Sequence, residues 1–370
     1  MSIVTNLQDQ VQQRLDELVA SGAEVGLQAA AYKDGQLVVD AVAGLADPAT
    51  GRPVTSDTPF YSASTGKAAS ATIANILVDR GVLSYDAPIA DVWPEFATNG
   101  KEKGTLRHVL THSIGLPALP ASTTVEDLTD WTTMTTYLAS AEPWWEPGTK
   151  TTYHAQTFGF LVGEIAQRAT GSPISQLLRE LITEPLGIAD QLYFGVPVEQ
   201  QHRVARLVEP DGIEEMTAMM AEMFAKVAPA AVMPSATYGN RPDVLAADIP
   251  SGGTMSARGI ATLYAALIGE VDGVRLVRPE TVAEITGPAL TAKDELMGNE
   301  AVWALGLPVG RLGSTAADSP DSFGMPGIGG SVGWADTRAG VAFGLTRNLF
   351  DPTQSPSAIE IGNLVAKSLC

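Results

Sequence analysis

"PFYSASTGKAASATIANILVDRGVLSYDAPIADVWPEF", residues 59–96, decides how the rest of the chain is to be read. Within it, Ser64 and Lys67 stand three positions apart, after a small polar turn and ahead of an Ala-rich run. From Ser64 to Arg80 the pattern predicts a helix with Ile73, Ile76 and Leu77 on one face and Gly81 closing it. Residues three apart share a helix face, so the Lys67 ammonium can reach the Ser64 hydroxyl. The helix N-terminus favours negative charge developing at Ser64, and a desolvated Lys67 would act as a base near neutral pH. An N-capping serine followed by a surface lysine would look the same, so the pair has to be judged by its context.

The chain has 370 residues, enough for two average domains or one large α/β domain with an insertion. Gly and Pro, at 36 and 24 residues, stay below the level of disordered chains, and 45% hydrophobic content can fill a substantial core. A net charge of −19 argues against nucleic acid, whose phosphates would be repelled. The N-terminus lacks the charged opening and apolar stretch of a signal peptide, and no run of about 18 apolar residues would span a membrane. The single cysteine, Cys370, allows no internal disulfide. These features fit a cytoplasmic protein.

Leu7, Val11, Leu15 and Leu18 recur at helical spacing, with Gly22 as the expected C-cap. Two strands follow around an Asp34-Gly35 turn. Helical patches and Pro-broken loops fill about 85–250, and Ser256 is placed to cap another helix. Near the end, "GGSVGWAD" and "GVAFGLTRN" read as two strands joined by Thr337 to Ala339, before a final helix over about Ala358 to Leu369. Strands at both ends with helices between predict an α/β (α+β) fold. Its antiparallel sheet would come from N- and C-terminal segments flanked by helices, with an inserted, mostly helical domain. The expected division is 1–60 with 255–370 for the mixed part and 61–254 for the helical part.

Several attractive motifs fail. A phosphate-binding loop would need glycine at Tyr61 and Ser or Thr at Ala68. Residues 329–333 match G-x-S-x-G, but a strand follows instead of a helix, and the last histidine is His202. His108 and His112 have ligand spacing without the neighbouring Glu or a third ligand, and are read as structural. Five of the ten methionines fall in 216–233; packing against the core is the slightly preferred reading, an adaptable lining or lid for an acyl group the other.

The opening stretch, then "LRHVLTHSIGLP" (106–117), then "WEPGTKTTYHAQTFGFLVGEIAQRATG" (145–171), together resemble the serine β-lactamase and penicillin-binding-protein superfamily. The similarity is to its class C-like branch, with esterases and transacylases, and covers most of residues 20–350. It implies an active site where a mixed α/β domain meets a helical one. Ser64 would be the nucleophile and Lys67 its proton-relay partner. Tyr153 matches the tyrosine of the family's Y-x-N motif; a nearby Lys67 ammonium would lower its pKa so that it could take and return the Ser64 proton. Two departures stand out: Ala155 replaces the Asn of Y-x-N, and Met325-Pro326-Gly327 replaces a K-T-G or H-x-G motif. Met325 cannot hold a substrate carboxylate. Backbone N–H groups of Ser64 and Ile328 can still form an oxyanion hole, with Gly327, Gly329 and Gly330 letting substrate come close.

The resulting expectation is a serine hydrolase acting on esters or amides of small acids through a Ser64 acyl-enzyme. Catalysis would rest on Ser64, Lys67 and Tyr153, and substrate contacts on Met325, Gly327, Ile328 and Gly329. No cofactor or metal is implied, and the partner is a small molecule, not nucleic acid or membrane. A transacylase and a non-catalytic binding protein on the same fold are the alternatives.

Overall fold

The computed structural model describes residues 3–352 and 356–370, with side chains from residue 6 onward. Its frame is a six-stranded antiparallel sheet built from both ends of the chain. The strands are β1 (Gly26–Lys33), β2 (Gln36–Asp47), β3 (Arg52–Pro53), β4 (Ser322–Pro326), β5 (Val332–Asp336) and β6 (Val341–Arg347). Their order across the sheet is β3-β2-β1-β6-β5-β4, so β1 pairs with β6 and joins the two chain ends. The β1–β2 turn is at Asp34 and Gly35, with φ of 49° and 76°, the left-handed pair that a two-residue hairpin requires.

Helices cover both faces, which explains why β1 is buried along nearly its whole length. Leu27, Ala29 and Ala31 pack with α1 (Ile3–Ala20) and α6 (Pro356–Leu369), whereas Ala30 and Tyr32 face the opposite core. The period-2 alternation of a strand places these two sets on opposite sides. On α1, Leu7, Val11, Leu15 and Leu18 are each 5% exposed or less, and Gly22 beyond it has a φ of 77°. Burying each such side chain contributes about 2 kcal/mol. On the second face lies α5 (Ala257–Ile268), capped by Ser256. It sits so close that a Cβ on Gly344 would be 2.3 Å from the Ala257 carbonyl oxygen. Gly333 is paired with Gly344 in the sheet, and a Cβ there would meet Ile260 at 2.4 Å.

The helical part centres on α2 (Lys67–Asp79), in which eleven of thirteen residues are buried. It packs against α3 (Thr157–Thr170). The expected helix start at Ser64 is a 3-10 turn, Ala63–Gly66, and the α-helix begins at Lys67. A three-stranded sheet of Phe60–Tyr61, Thr254–Met255 and Leu192–Tyr193 fixes the approach to that turn. The strand expected from Gly329 starts instead at Val332, because Gly329 and Gly330 turn the chain with φ of 98° and 99°. A hairpin of Leu290–Lys293 and Glu300–Trp303, without a clear signal in the sequence, packs beside the site. The methionine-rich segment forms α4 (Glu214–Phe224), which buries none of its residues. The slightly preferred expectation, a helix packed into the core, is therefore corrected: α4 lies over cavities. No helix among the described residues is long and apolar enough to cross a membrane.

Candidate active site

The 3-10 turn carries Ser64 into a pocket while Lys67 approaches it from the first turn of α2. Lys67 Nζ lies 3.1 Å from Ser64 Oγ and donates to the Ser251 carbonyl at 2.7 Å. Its side chain is fully buried, and burial brings its pKa down to about 7. Low dielectric penalises the ammonium, so much of the amine is neutral at physiological pH. A surface lysine is thereby excluded. Ser64 is not an N-cap either: Ser62 holds that position and makes no side-chain capping bond. Just before the nucleophile, Ala63 has a φ of 44°, a strained value for a residue with a Cβ.

Ser251 belongs to a strap, Pro250–Gly253, laid across α2 and α3. The Ser70 hydroxyl donates to the Pro250 carbonyl at 2.6 Å, and Ser62 N donates to the Gly253 carbonyl at 2.8 Å. A Cβ on Gly66 would sit 2.0 Å from the Gly252 carbonyl oxygen, so only glycine lets the strap come near enough to reach Lys67. The strap supplies a lysine acceptor from the main chain, where Ala155 offers no side-chain amide.

Tyr153 joins the pair from the loop before α3. Its hydroxyl hydrogen-bonds with Ser64, and Lys67 Nζ lies 5.1 Å from its ring centroid. The pKa does not fall as expected. Burial pushes the phenol well above its ordinary value, and the bond to Ser64 offsets only part of that. A lysine already poised to be neutral supplies little field to hold a phenolate, so Lys67 is the better base and Tyr153 a proton carrier.

The position of Tyr153 is set from outside its own loop. Asp294, buried in the turn of the 290–303 hairpin, accepts from Thr152 Oγ1 at 2.6 Å and from Tyr153 N at 3.1 Å. Trp303, at the hairpin's far end, stacks on the tyrosine ring with centroids 6.1 Å apart and planes 5° from parallel. His112 packs against both rings, at 5.1 Å from Tyr153 and 4.1 Å from Trp303. Burial holds His112 well below its ordinary pKa and brings His154 down to about 4, so both are neutral. His112 Nδ1 accepts from His154 N at 3.0 Å, and His154 Nε2 accepts from Leu116 N at 3.0 Å. His108 accepts from the Thr105 N–H in a helix cap, separate from this cluster.

Of the four expected substrate contacts, the structure puts Ile328 on the pocket wall beside Ser64. Met325 is corrected: it is 3% exposed, and its side chain packs into the main apolar core. Gly327 passes under the nucleophile turn, where a Cβ would be 2.2 Å from the Ser62 carbonyl oxygen. Gly329 faces the Phe350 ring. The turn carrying Ile328 is anchored from below by Arg347, which donates to the Gly329 carbonyl at 3.4 Å and to buried Glu24 at 2.8 Å. The pocket is walled by uncharged residues, among them Tyr61, Phe194, Phe224, Val227, Met233 and Tyr238.

The beta-lactamase family model matches residues 11–366. The chain belongs to the beta-lactamase family. It is a serine hydrolase of that fold. Within the family it is 36% identical over 334 residues to the esterase/beta-lactamase LipL of Mycobacterium tuberculosis, covering 86% of this chain and 76% of that one. Among solved structures of the family's fold, a family VIII carboxylesterase superposes with a TM-score of 0.87 at 32% identity, covering 98% of each chain. A penicillin-binding protein homolog from Caulobacter crescentus gives 0.83 at 30% identity, covering 99% of this chain and 98% of that one. Ser251, Asp294 and Trp303 were missed in the sequence. The Gly252-Gly253 pair hinted at a close approach there, whereas nothing local marks Asp294.

Proposed function

We propose that the protein hydrolyses uncharged carboxylic esters through an acyl-enzyme on Ser64. The observation that carries this reading is the buried Lys67 amine, with a pKa of about 7, 3.1 Å from Ser64 Oγ. Neutral Lys67 takes the Ser64 proton as Oγ attacks the ester carbonyl, and the N–H groups of Ser64 and Ile328 hold the oxyanion. Tyr153 then gives its proton to the leaving alkoxide and regains one from Lys67, so the alcohol leaves neutral and the lysine is again a free amine. Water attacks the acyl-enzyme by the same relay, yielding the carboxylic acid and free Ser64.

LipL's name pairs ester and β-lactam hydrolysis, and the pocket here favours the ester. No lysine, arginine or histidine lines it among the described residues, so a penicillin carboxylate finds no charge partner. A lost charge-assisted hydrogen bond lowers binding by roughly 10- to 150-fold. Two measurements test the reading. Intact-mass spectrometry of protein quenched during turnover of an activated ester should show one added acyl group, absent in Ser64→Ala. Aryl esters should show a higher kcat/KM than any common penicillin; the opposite ranking would overturn the preference.

A further inference from the structure

Beside the catalytic pocket is a second, partly open cavity that the reaction as described does not use. The two share Ile328, Met233 and Pro234 as wall residues. Helix α4 spans both: Phe224, at its end, lines the catalytic pocket, while Thr217, Met220 and Ala221 line the second cavity. These positions form one helical stripe, 217, 220/221 and 224, facing inward. The helix buries none of its residues, so this stripe faces open space where a surface helix ordinarily covers core. The rest of the second wall includes Ile213, Phe350 and Pro352, with three acidic residues, Glu209, Asp211 and Glu214. Glu209 accepts from Ala236 N at 2.9 Å; Asp211 and Glu214 are exposed. Among the described residues, no basic side chain lines either cavity.

From this we infer that the second cavity is the subsite for the distal part of the acyl group, and that it selects extended apolar chains with neutral or cationic ends. The inference rests on the ester-hydrolase reading. Tyr153 must touch the leaving oxygen to protonate it, and Tyr153 lines only the catalytic pocket. The leaving alcohol therefore lies on the tyrosine side. The side of the pocket bounded by Ile328, Met233 and Pro234, which the second cavity shares, is left for the acyl chain. Apolar walls gain from each buried methylene, and the acidic residues repel an anionic end in a place that offers no counter-charge.

The test uses p-nitrophenyl esters with one leaving group throughout. From acetate to decanoate, kcat/KM should rise by up to about fourfold per methylene until the chain fills both cavities. At low ionic strength, eight-carbon chains ending in methyl or trimethylammonium should be turned over about tenfold faster than the same chain ending in carboxylate, and added salt should narrow that gap. Ala221→Trp and, separately, Thr217→Trp fill the second cavity and should each cut the decanoate-to-acetate ratio at least tenfold. An unchanged ratio in both variants, or equal rates for all three chain ends, would overturn the inference. Calorimetric binding of the same esters to Ser64→Ala reads the cavity without turnover. If chain length and end charge alter that binding while wild-type protein hydrolyses nothing, the subsite stands and the ester-hydrolase reading falls. If acetate is hydrolysed but binding ignores chain length, the subsite falls and the hydrolase reading stands.

Discussion

Helices α2 and α4 both border the space where substrate reacts, yet they are built by opposite rules. Eleven of thirteen residues in α2 are buried, and none of the eleven in α4. Around α2 the packing leaves no room for one added methyl at Gly66, and the strap fixes both the lysine and the backbone of the nucleophile turn. Proton transfer depends on tenths of an ångström and on a dry lysine, and only dense packing supplies both. Helix α4 instead leaves Met219 and Met223 half exposed and turns its inner face toward a cavity. On that inner face Met220, unbranched and polarizable, adapts to varied ligands at little energetic cost. The molecule is rigid where bonds change and loose where the substrate chain is accommodated.

The comparison breaks most sharply at the nucleophile. Ser64→Ala should lower ester turnover by about 10³-fold or more with the thermal midpoint nearly unchanged, since one hydroxyl is lost. Near wild-type kcat in that variant would separate the dense region from the chemistry.

The next test concerns the cost of a dry lysine. Burial takes Lys67 from the ordinary 10.5 down to about 7, so between these values the unfolded chain binds more protons than the folded one. Lys67→Met should therefore stabilise the fold by up to about 5 kcal/mol below pH 7. That advantage should shrink as pH rises from 7 towards 10.5, and the variant should lose activity. Urea melts at several pH values measure it, and an advantage independent of pH would contradict the assigned burial effect. In the wild type, kcat/KM should rise with pH through about 7, as the amine becomes free.

A smaller effect is expected at the hairpin that steadies Tyr153. Asp294→Asn turns an acceptor of four hydrogen bonds into a neutral group and should lower kcat about tenfold with KM little changed. Combined with Tyr153→Phe, the loss should be no greater than for Tyr153→Phe alone, because both act through one hydroxyl. Additive losses would mean that Asp294 serves only the loop. The smallest effect belongs to α4: Met219→Gln should change unfolding stability by less than about 0.5 kcal/mol, as for other exposed positions. A larger loss in a denaturant melt would show that α4 is held more firmly than its exposure implies.

Local pattern carried the sheet and its flanking helices well. The spacing of Leu7, Val11, Leu15 and Leu18, the Asp34-Gly35 turn and the Ser256 cap each act over a few residues, and each forms where the sequence places it. Their physics is short-ranged: side-chain period, left-handed glycine geometry and unsatisfied N–H groups at a helix start. The hairpin at 290–303 was missed because its strands are four residues each and half-exposed, with little alternation to read.

For the site, the sequence determined that Lys67 would reach Ser64, because three-residue spacing brings the two side chains together across a 3-10 turn into a helix as it does within one helix. Their resemblance-based partner Tyr153 also arrives beside them. Tertiary structure decided which group is the base. The pKa of Lys67 depends on burial under a strap 184 residues away, and that of Tyr153 on burial to which a hairpin about 150 residues further along contributes. Tertiary packing also turned Met325 into the core and left α4 over open space. Desolvation and cavity shape are sums over neighbours from the whole chain, so no local spacing encodes them.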